Sequence, residues 1–199
     1  MIMLNIAKRQ HWIFDMDGTL TVGVHDFALI RAELGLAKNA PILETLSNLP
    51  APQAGPLWQR LNELEFHFAS LAKPMPGALE LLDKLHQRGV KLSIITRNWH
   101  SVAQQTLTTC QLVDYFPNHY ILDRDSCPPK PSPAGLQQLM QQWQATQHDT
   151  VMVGDYLYDL QAGKAAGVAT IHLDTSSQFM WPEFTDWQVS SLHDIDLPN

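Results

Sequence analysis

Two aspartates, Asp15 and Asp17, stand two residues apart in the run "FDMDGTLT", directly after the apolar stretch "HWIF". Like charges this close repel unless a cation lies between them or one of them stays protonated. Further along, Thr96 ends "VKLSIIT", Lys130 opens "KPSP", and Asp155 and Asp159 lie in "GDYLYD". Carboxylates gathered with open water positions suit a hard divalent cation such as Mg²⁺. Asp15 and Asp155 are candidate side-chain ligands, with the Asp17 backbone carbonyl as a third. Lys130 offers a fixed positive charge and Thr96 a hydroxyl. Backbone N–H groups after Asp17 and at Arg97–Asn98 offer an anion cradle. This inventory suits a phosphoryl group, whose transfer is catalysed by positioning and charge neutralisation.

The elements that must position these residues show in the hydrophobic pattern. Short apolar runs, "HWIF", "VKLSIIT", "HYIL", "TVMVG" and "VATIHL", alternate with helical stretches, the signature of a parallel sheet in an α/β fold. Each candidate falls at, or just beyond, the carboxyl end of an expected strand, the edge where ligand sites form in open parallel sheets. The region 22–73 reads differently. It holds helix-like pieces ("HDFALIRAELG", "PILETLSNL" and "GPLWQRLNELEFHFASLA") and no strand pattern. Pro50, Pro52 and Pro56 are expected to separate the last two pieces, and "KPMPG" closes the region. The organisation expected is a sheet domain from residues 1–21 and 74–199, with an all-helical insertion at 22–73. His25, Arg31 and Arg60 on that insertion are the candidates for contacting a substrate. After Asp174, "FMWPEF" reads as a loop and "DWQVSSLHDI" as an edge strand with a helical turn.

Bulk properties exclude several classes. The 199 residues are 45% hydrophobic, enough for a sizeable core, and carry a net charge of −7. Nucleic-acid binding would show a basic stripe instead. Cys110 and Cys127 lack metal-site spacing, which favours a reduced chain over a disulfide scaffold. No stretch approaches the roughly 18 consecutive apolar residues of a membrane span. The charges of "MIMLNIAKRQ" follow its apolar run, the wrong order for a secretory signal. A cytoplasmic location is expected, with a small phosphorylated metabolite as ligand, no membrane, no nucleic acid and no obligate protein partner.

Together "DMDGT", "SIITRN", "KPSP" and "GDYLYD" resemble the four ordered motifs of the haloacid dehalogenase-like hydrolase superfamily, spanning residues 15 to 159. The helical insertion resembles that superfamily's cap, and the phosphoglycolate phosphatase-like branch is the most similar. The resemblance implies a Rossmann-like core with an inserted cap. It implies Asp15 as nucleophile and Asp17 as general acid and base, with Thr96, Arg97 and Lys130 at the phosphate. Asp15, Asp17 and Asp155 would hold Mg²⁺, and Asp159 would act from behind them or through water. The activity implied is hydrolysis of a small phosphate monoester through an aspartyl phosphate. A phosphomutase on the same core, a haloacid dehalogenase and a non-catalytic phosphate-binding module remain as alternatives. Asp17 argues against the dehalogenase, because a leaving halide needs no proton whereas a leaving alkoxide does.

Overall fold

The computed structural model describes residues 6–23 and 26–197. Six strands form one parallel sheet: β1 (His11–Phe14), β2 (Lys91–Ile95), β3 (Ile121–Leu122), β4 (Thr150–Gly154), β5 (Ala169–Leu173) and β6 (Trp187–Val189). Their order is β3-β2-β1-β4-β5-β6, so β1 lies at the point where the winding reverses, with β2 and β4 on either side. Each expected apolar run supplies a strand. The "HYIL" strand is shorter than expected, because Asn118–Tyr120 form a 3-10 turn and Ile121 and Leu122 alone join the ladder. An edge strand has a partner on one side only, which limits how far the ladder holds it.

Seven helices accompany the sheet among the described residues: α1 (Phe27–Glu33), α2 (Ile42–Ser47), α3 (Ala51–Leu71), α4 (Ala78–Gln87), α5 (His100–Thr109), α6 (Ala134–Trp143) and α7 (Leu157–Ala165). Alternation along β1 explains how they are distributed. Trp12 and Phe14 face a cluster containing Leu81, Leu82 and Leu85 of α4 and Leu107 of α5. Ile13 faces the opposite layer, with Leu136 and Leu139 of α6 and Ala162 of α7. The three fully buried residues of β1, Trp12 to Phe14, are all apolar, and Asp15 follows directly at the strand's carboxyl end.

Between β1 and β2 the chain makes α1, α2 and α3, which bury Ile30, Leu34, Leu46, Leu61, Leu64 and Phe68 against one another, apart from the two sheet clusters. Of the three prolines expected to separate the last two pieces, only Pro50 does so. Pro50 is the N-cap of α3, and both Pro52 and Pro56 lie inside the helix. Pro52 occupies the first turn, where an N–H has no intrahelical acceptor. Pro56 does forfeit one hydrogen bond, but the fifteen or so residues after it propagate the helix at little further cost. The chain leaves and re-enters the sheet side by side. The Val22 N–H donates to the Lys73 carbonyl at 2.9 Å, and the Met75 N–H donates to the Leu20 carbonyl at 2.9 Å.

Because α1 to α3 have their own apolar cluster, Phe68→Ala should loosen them first. Truncating a buried Phe costs about 3–5 kcal/mol. Hydrogen exchange should accelerate across residues 27–71 while the amides of β1, β2 and β4 keep their protection. A uniform loss of protection would show that helices and sheet open as one unit.

Candidate active site

Asp15 follows β1 and is tied to the neighbouring strand by its N–H, which donates to the Val153 carbonyl at 2.9 Å. Asp155 follows β4, and Asp159 lies on the first turn of α7. Carboxylate oxygens of Asp15, Asp155 and Asp159 all lie within 4.8 Å of one another. Two glycines make this approach possible. At Gly18, where φ is +92°, a Cβ would overlap the Asp155 carboxylate; at Gly154 it would overlap the Asp159 side chain. Thr19, fully buried, donates its hydroxyl to Asp155 Oδ1 at 3.0 Å. Asp159 Oδ2 accepts the Tyr156 N–H at 3.1 Å in a capping box that sets its rotamer.

Lys130 holds the cluster together. Its Nζ is ion-paired with Asp15 Oδ1 and, at 2.6 Å, with Asp159 Oδ1. Burial pushes the Asp15 carboxyl well above its ordinary range; Lys130 opposes this, and Asp159 and Asp155 add to it. Burial, then Asp159, pushes Asp155 up to about 6, against the Thr19 hydrogen bond. For Lys130 burial pulls the other way, but Asp15 and Asp159 outweigh it and hold the ammonium above its ordinary value. Three carboxylates thus face one ammonium. The residual negative charge, and a donor set made only of hard oxygens, fit a divalent cation.

Asp17 points elsewhere. Its Oδ2 accepts from Asn98 Nδ2 at 2.5 Å, so its carboxylate stands apart from the three that converge. Thr96 follows β2, buried, and its Oγ1 accepts the Asn98 N–H at 3.1 Å, which leaves the hydroxyl hydrogen to donate. Asp15, Asp17, Thr96, Lys130, Asp155 and Asp159 all line one cavity of about 670 Å³. Phe27, Ile30 and Arg31 of α1 contribute to its far wall, as do Ile42 and Leu43 of α2 and Leu61 of α3.

Several candidates are placed differently from the sequence expectation. Asp159, expected to act from behind the ligands or through water, lies with its carboxylate within 4.8 Å of those of Asp15 and Asp155. The Arg97 side chain lines the cavity but pairs with Glu44 of α2 at 2.6 Å, so its contribution to an anion cradle rests on its backbone. Arg31 reaches the cavity and donates to the carbonyls of Ala40 and Phe27, each at 3.0 Å. Arg60 does not line it; this exposed guanidinium is paired with Glu33 at 2.7 Å and Glu63 at 3.0 Å. His25 lies outside the described residues. Thr19, the Asn98 side chain, Glu65 and Arg124 were not singled out from sequence. Thr19 is legible in hindsight, since it follows the glycine that admits Asp155. For Arg124, in "DRDSCPP", no local signal marks it.

A parallel sheet wound outward from β1, with carboxylates and a lysine gathered at its carboxyl edge, defines a Rossmann-like α/β hydrolase. The chain belongs to the haloacid dehalogenase-like hydrolase family, whose model matches residues 31–173. A haloacid dehalogenase-like hydrolase domain-containing protein of Arabidopsis thaliana is 30% identical over 207 residues, covering 92% of this chain and 80% of that protein. The phosphoglycolate phosphatase of Vibrio vulnificus is 29% identical over 189 residues, covering 80% of this chain and 81% of the relative. In fold, the chain superposes on a hydrolase from Pseudomonas syringae with a TM-score of 0.76 at 22% identity, covering 94% and 95% of the two chains. Among the described residues no helix is long and apolar enough to cross a membrane.

Asp155 gives a test of the electrostatics without any substrate. Its folded value of about 6 lies above the ordinary 3.8, so the fold holds that proton more tightly than the unfolded chain does. The stability it contributes is present below about pH 4 and lost as pH rises through about 6. In metal-free protein at about pH 7.5, Asp155→Asn should therefore raise the thermal midpoint by a few degrees. The same change should shrink any stabilisation produced by an added divalent cation. A variant melting below the parent at that pH would show that the carboxylate is not under electrostatic strain.

Proposed function

We propose that the chain is a Mg²⁺-dependent phosphatase that hydrolyses a small phosphate monoester through an aspartyl phosphate on Asp15. One observation carries the reading: a buried carboxylate cluster is partly neutralised by Lys130 at the carboxyl edge of the sheet, with Thr96 and a separately held Asp17 beside it. In this reading residues 1–21 and 74–199 form the hydrolase core and 22–73 the cap that shapes the substrate cavity. The phosphatase and pyrophosphatase names of several relatives support the same class.

Asp15, Asp155 and Asp159, with the Asp17 backbone carbonyl, are the residues that would hold the ion. Bound there, Mg²⁺ would supply charge neutralisation for the carboxylates and the phosphoryl oxygens. The remaining work belongs to the side chains. Lys130 helps keep Asp15 ionised and draws the phosphoryl oxygens toward it, while the Thr96 hydroxyl orients them. Asp15 Oδ attacks phosphorus in line with the leaving oxygen. Asp17, protonated at that moment, gives its proton to the departing alkoxide. It then takes a proton from the water that attacks the acyl phosphate, restoring Asp15 and releasing phosphate. Asn98 is suited to both states of Asp17, because its amide N–H₂ donates to the carboxylate and its amide oxygen can accept from the acid.

Turnover of an aryl phosphate should disappear on exhaustive chelation and return with Mg²⁺; undiminished turnover would remove the metal from the mechanism. Asp15→Asn should lower turnover by about 10⁴-fold or more and abolish covalent labelling. Asp17→Asn should cost about 10²–10³-fold on an alkyl phosphate. On an aryl phosphate the first step should survive and labelled acyl phosphate should accumulate. Acid-quenched labelling and peptide mapping check both variants, and label on any residue other than Asp15 would overturn the assignment.

A further inference from the structure

A continuous set of hydrogen bonds runs from the helical insertion to Asp17, and its central member is Arg124. This residue follows β3, and only 8% of its side chain is exposed. Its Nη2 pairs with Oε1 of Glu65 on α3 at 2.5 Å, and the Glu65 side chain is equally buried. The rings of Trp58, on α3, and Trp99, just before α5, lie 5.8 and 5.0 Å from the guanidinium carbon. The opposite side of Arg124 holds the loop after β2. Its Nε donates to the Arg97 carbonyl at 2.7 Å, and its backbone N–H donates to the Asn98 carbonyl at 3.1 Å. Asn98 Nδ2 in turn donates to Asp17 Oδ2 at 2.5 Å.

Simple adhesion between insertion and sheet would not need this arrangement. Adhesion is already provided by the Arg97–Glu44 pair on a different helix. Arg124 instead bonds two consecutive carbonyls, that of Arg97 through its Nε and that of Asn98 through its backbone N–H, and the Asn98 side chain holds Asp17. A buried guanidinium keeps its place only while its charge is met, and the acid that meets it comes from the insertion. The planar fork also makes the geometry strict, since Nε and Nη2 point in fixed directions to separate acceptors.

We infer that Arg124 is a positioning residue: paired with Glu65 of the helical insertion, it fixes the Arg97–Asn98 segment and thereby aims the Asp17 carboxylate at the leaving oxygen. Docking of the insertion and placement of the proton donor are then one event. With the insertion displaced, Arg124 loses Glu65, and its guanidinium loses the partner that holds it on the Arg97 carbonyl. The segment that carries Asn98 is then tied by backbone N–H bonds alone, and Asp17 is less firmly aimed where the leaving group departs. This inference rests on the phosphatase reading above.

The test exploits the fact that leaving groups differ in their need for a proton. Release of the leaving group is measured in single turnover with the Mg²⁺-loaded 199-residue chain, over aryl phosphates from 4-nitrophenyl to phenyl and one alkyl phosphate. Glu65→Gln keeps the shape of the acid and removes its charge. Arg124→Lys keeps the charge and removes the fork. Either change should slow the alkyl phosphate about tenfold or more and 4-nitrophenyl phosphate less than about twofold, steepening the dependence on leaving-group acidity. On an Asp17→Asn background, Glu65→Gln should add nothing to that dependence. Equal slowing of every substrate, or no slowing of any, would reduce the Arg124–Glu65 pair to adhesion and overturn the inference. Glu65→Gln, being isosteric, decides the matter even if Arg124→Lys does not fold. A parent chain inactive on every substrate would instead sink the phosphatase reading itself, while an active parent with an unchanged dependence sinks only the role of Arg124.

Discussion

Bringing Asp15, Asp155 and Asp159 to one point inside the protein costs free energy, and much of the surrounding architecture accommodates that cost. Buried carboxylates repel and lose hydration together, which is why Asp15 and Asp155 are both pushed toward their neutral forms. Lys130 offsets part of this by contacting two of the three. Thr19 fixes Asp155, the Tyr156 N–H fixes Asp159, and β4 fixes Asp15 through its backbone. Each of the three carboxylates is thus held by at least one hydrogen bond or ion pair within the cluster's surroundings. A site held in this way is poised for a divalent cation and an anionic substrate, which complete its charge balance.

The parallel sheet is what makes such a concentration possible. Strands buried on both faces are mostly apolar and carry no charged side chain in their buried interior, and parallel winding puts all the carboxyl ends on one edge. With β1 at the reversal point, the chain diverges on either side of Asp15 and leaves a crevice there. The glycines at 18 and 154 then decide how close the acids can come. Any side chain at either position would occupy the space that Asp155 or Asp159 needs.

Over this edge lies a helical unit with its own small core, joined to the sheet by two adjacent strand-like connections. Its polar contacts with the sheet side include Glu44–Arg97 and Glu65–Arg124. Both arginines belong to loops that also carry site residues. Movement of the helices therefore cannot be electrostatically silent at the catalytic edge, even though the helices contribute no member of the carboxylate cluster. Apolar groups of α1, α2 and α3, among them Ile30, Ile42, Leu43 and Leu61, line the cavity together with the carboxylate cluster.

Local information in the sequence was sufficient for the strands, the helices and the carboxyl-edge positions of Asp15, Thr96, Lys130, Asp155 and Asp159. Hydrophobic period and glycine–proline punctuation act over a few residues, and a strand end is a local event. The prolines of α3 misled because their cost depends on position within a helix whose length is fixed by packing on Ile30, Leu46 and its other cluster partners. Tertiary structure alone decided which charges meet. Arg31 and Arg60 look alike as basic residues of the helical pieces, yet Arg60 is paired on the outside of the insertion whereas Arg31 lines the cavity. Glu65 and Arg124 carry no motif at all, and their partnership exists only because the insertion folds back over the loop after β3. Coulomb and hydrogen-bond terms act between atoms a few ångströms apart, whatever their separation along the chain. Only the folded arrangement specifies those distances.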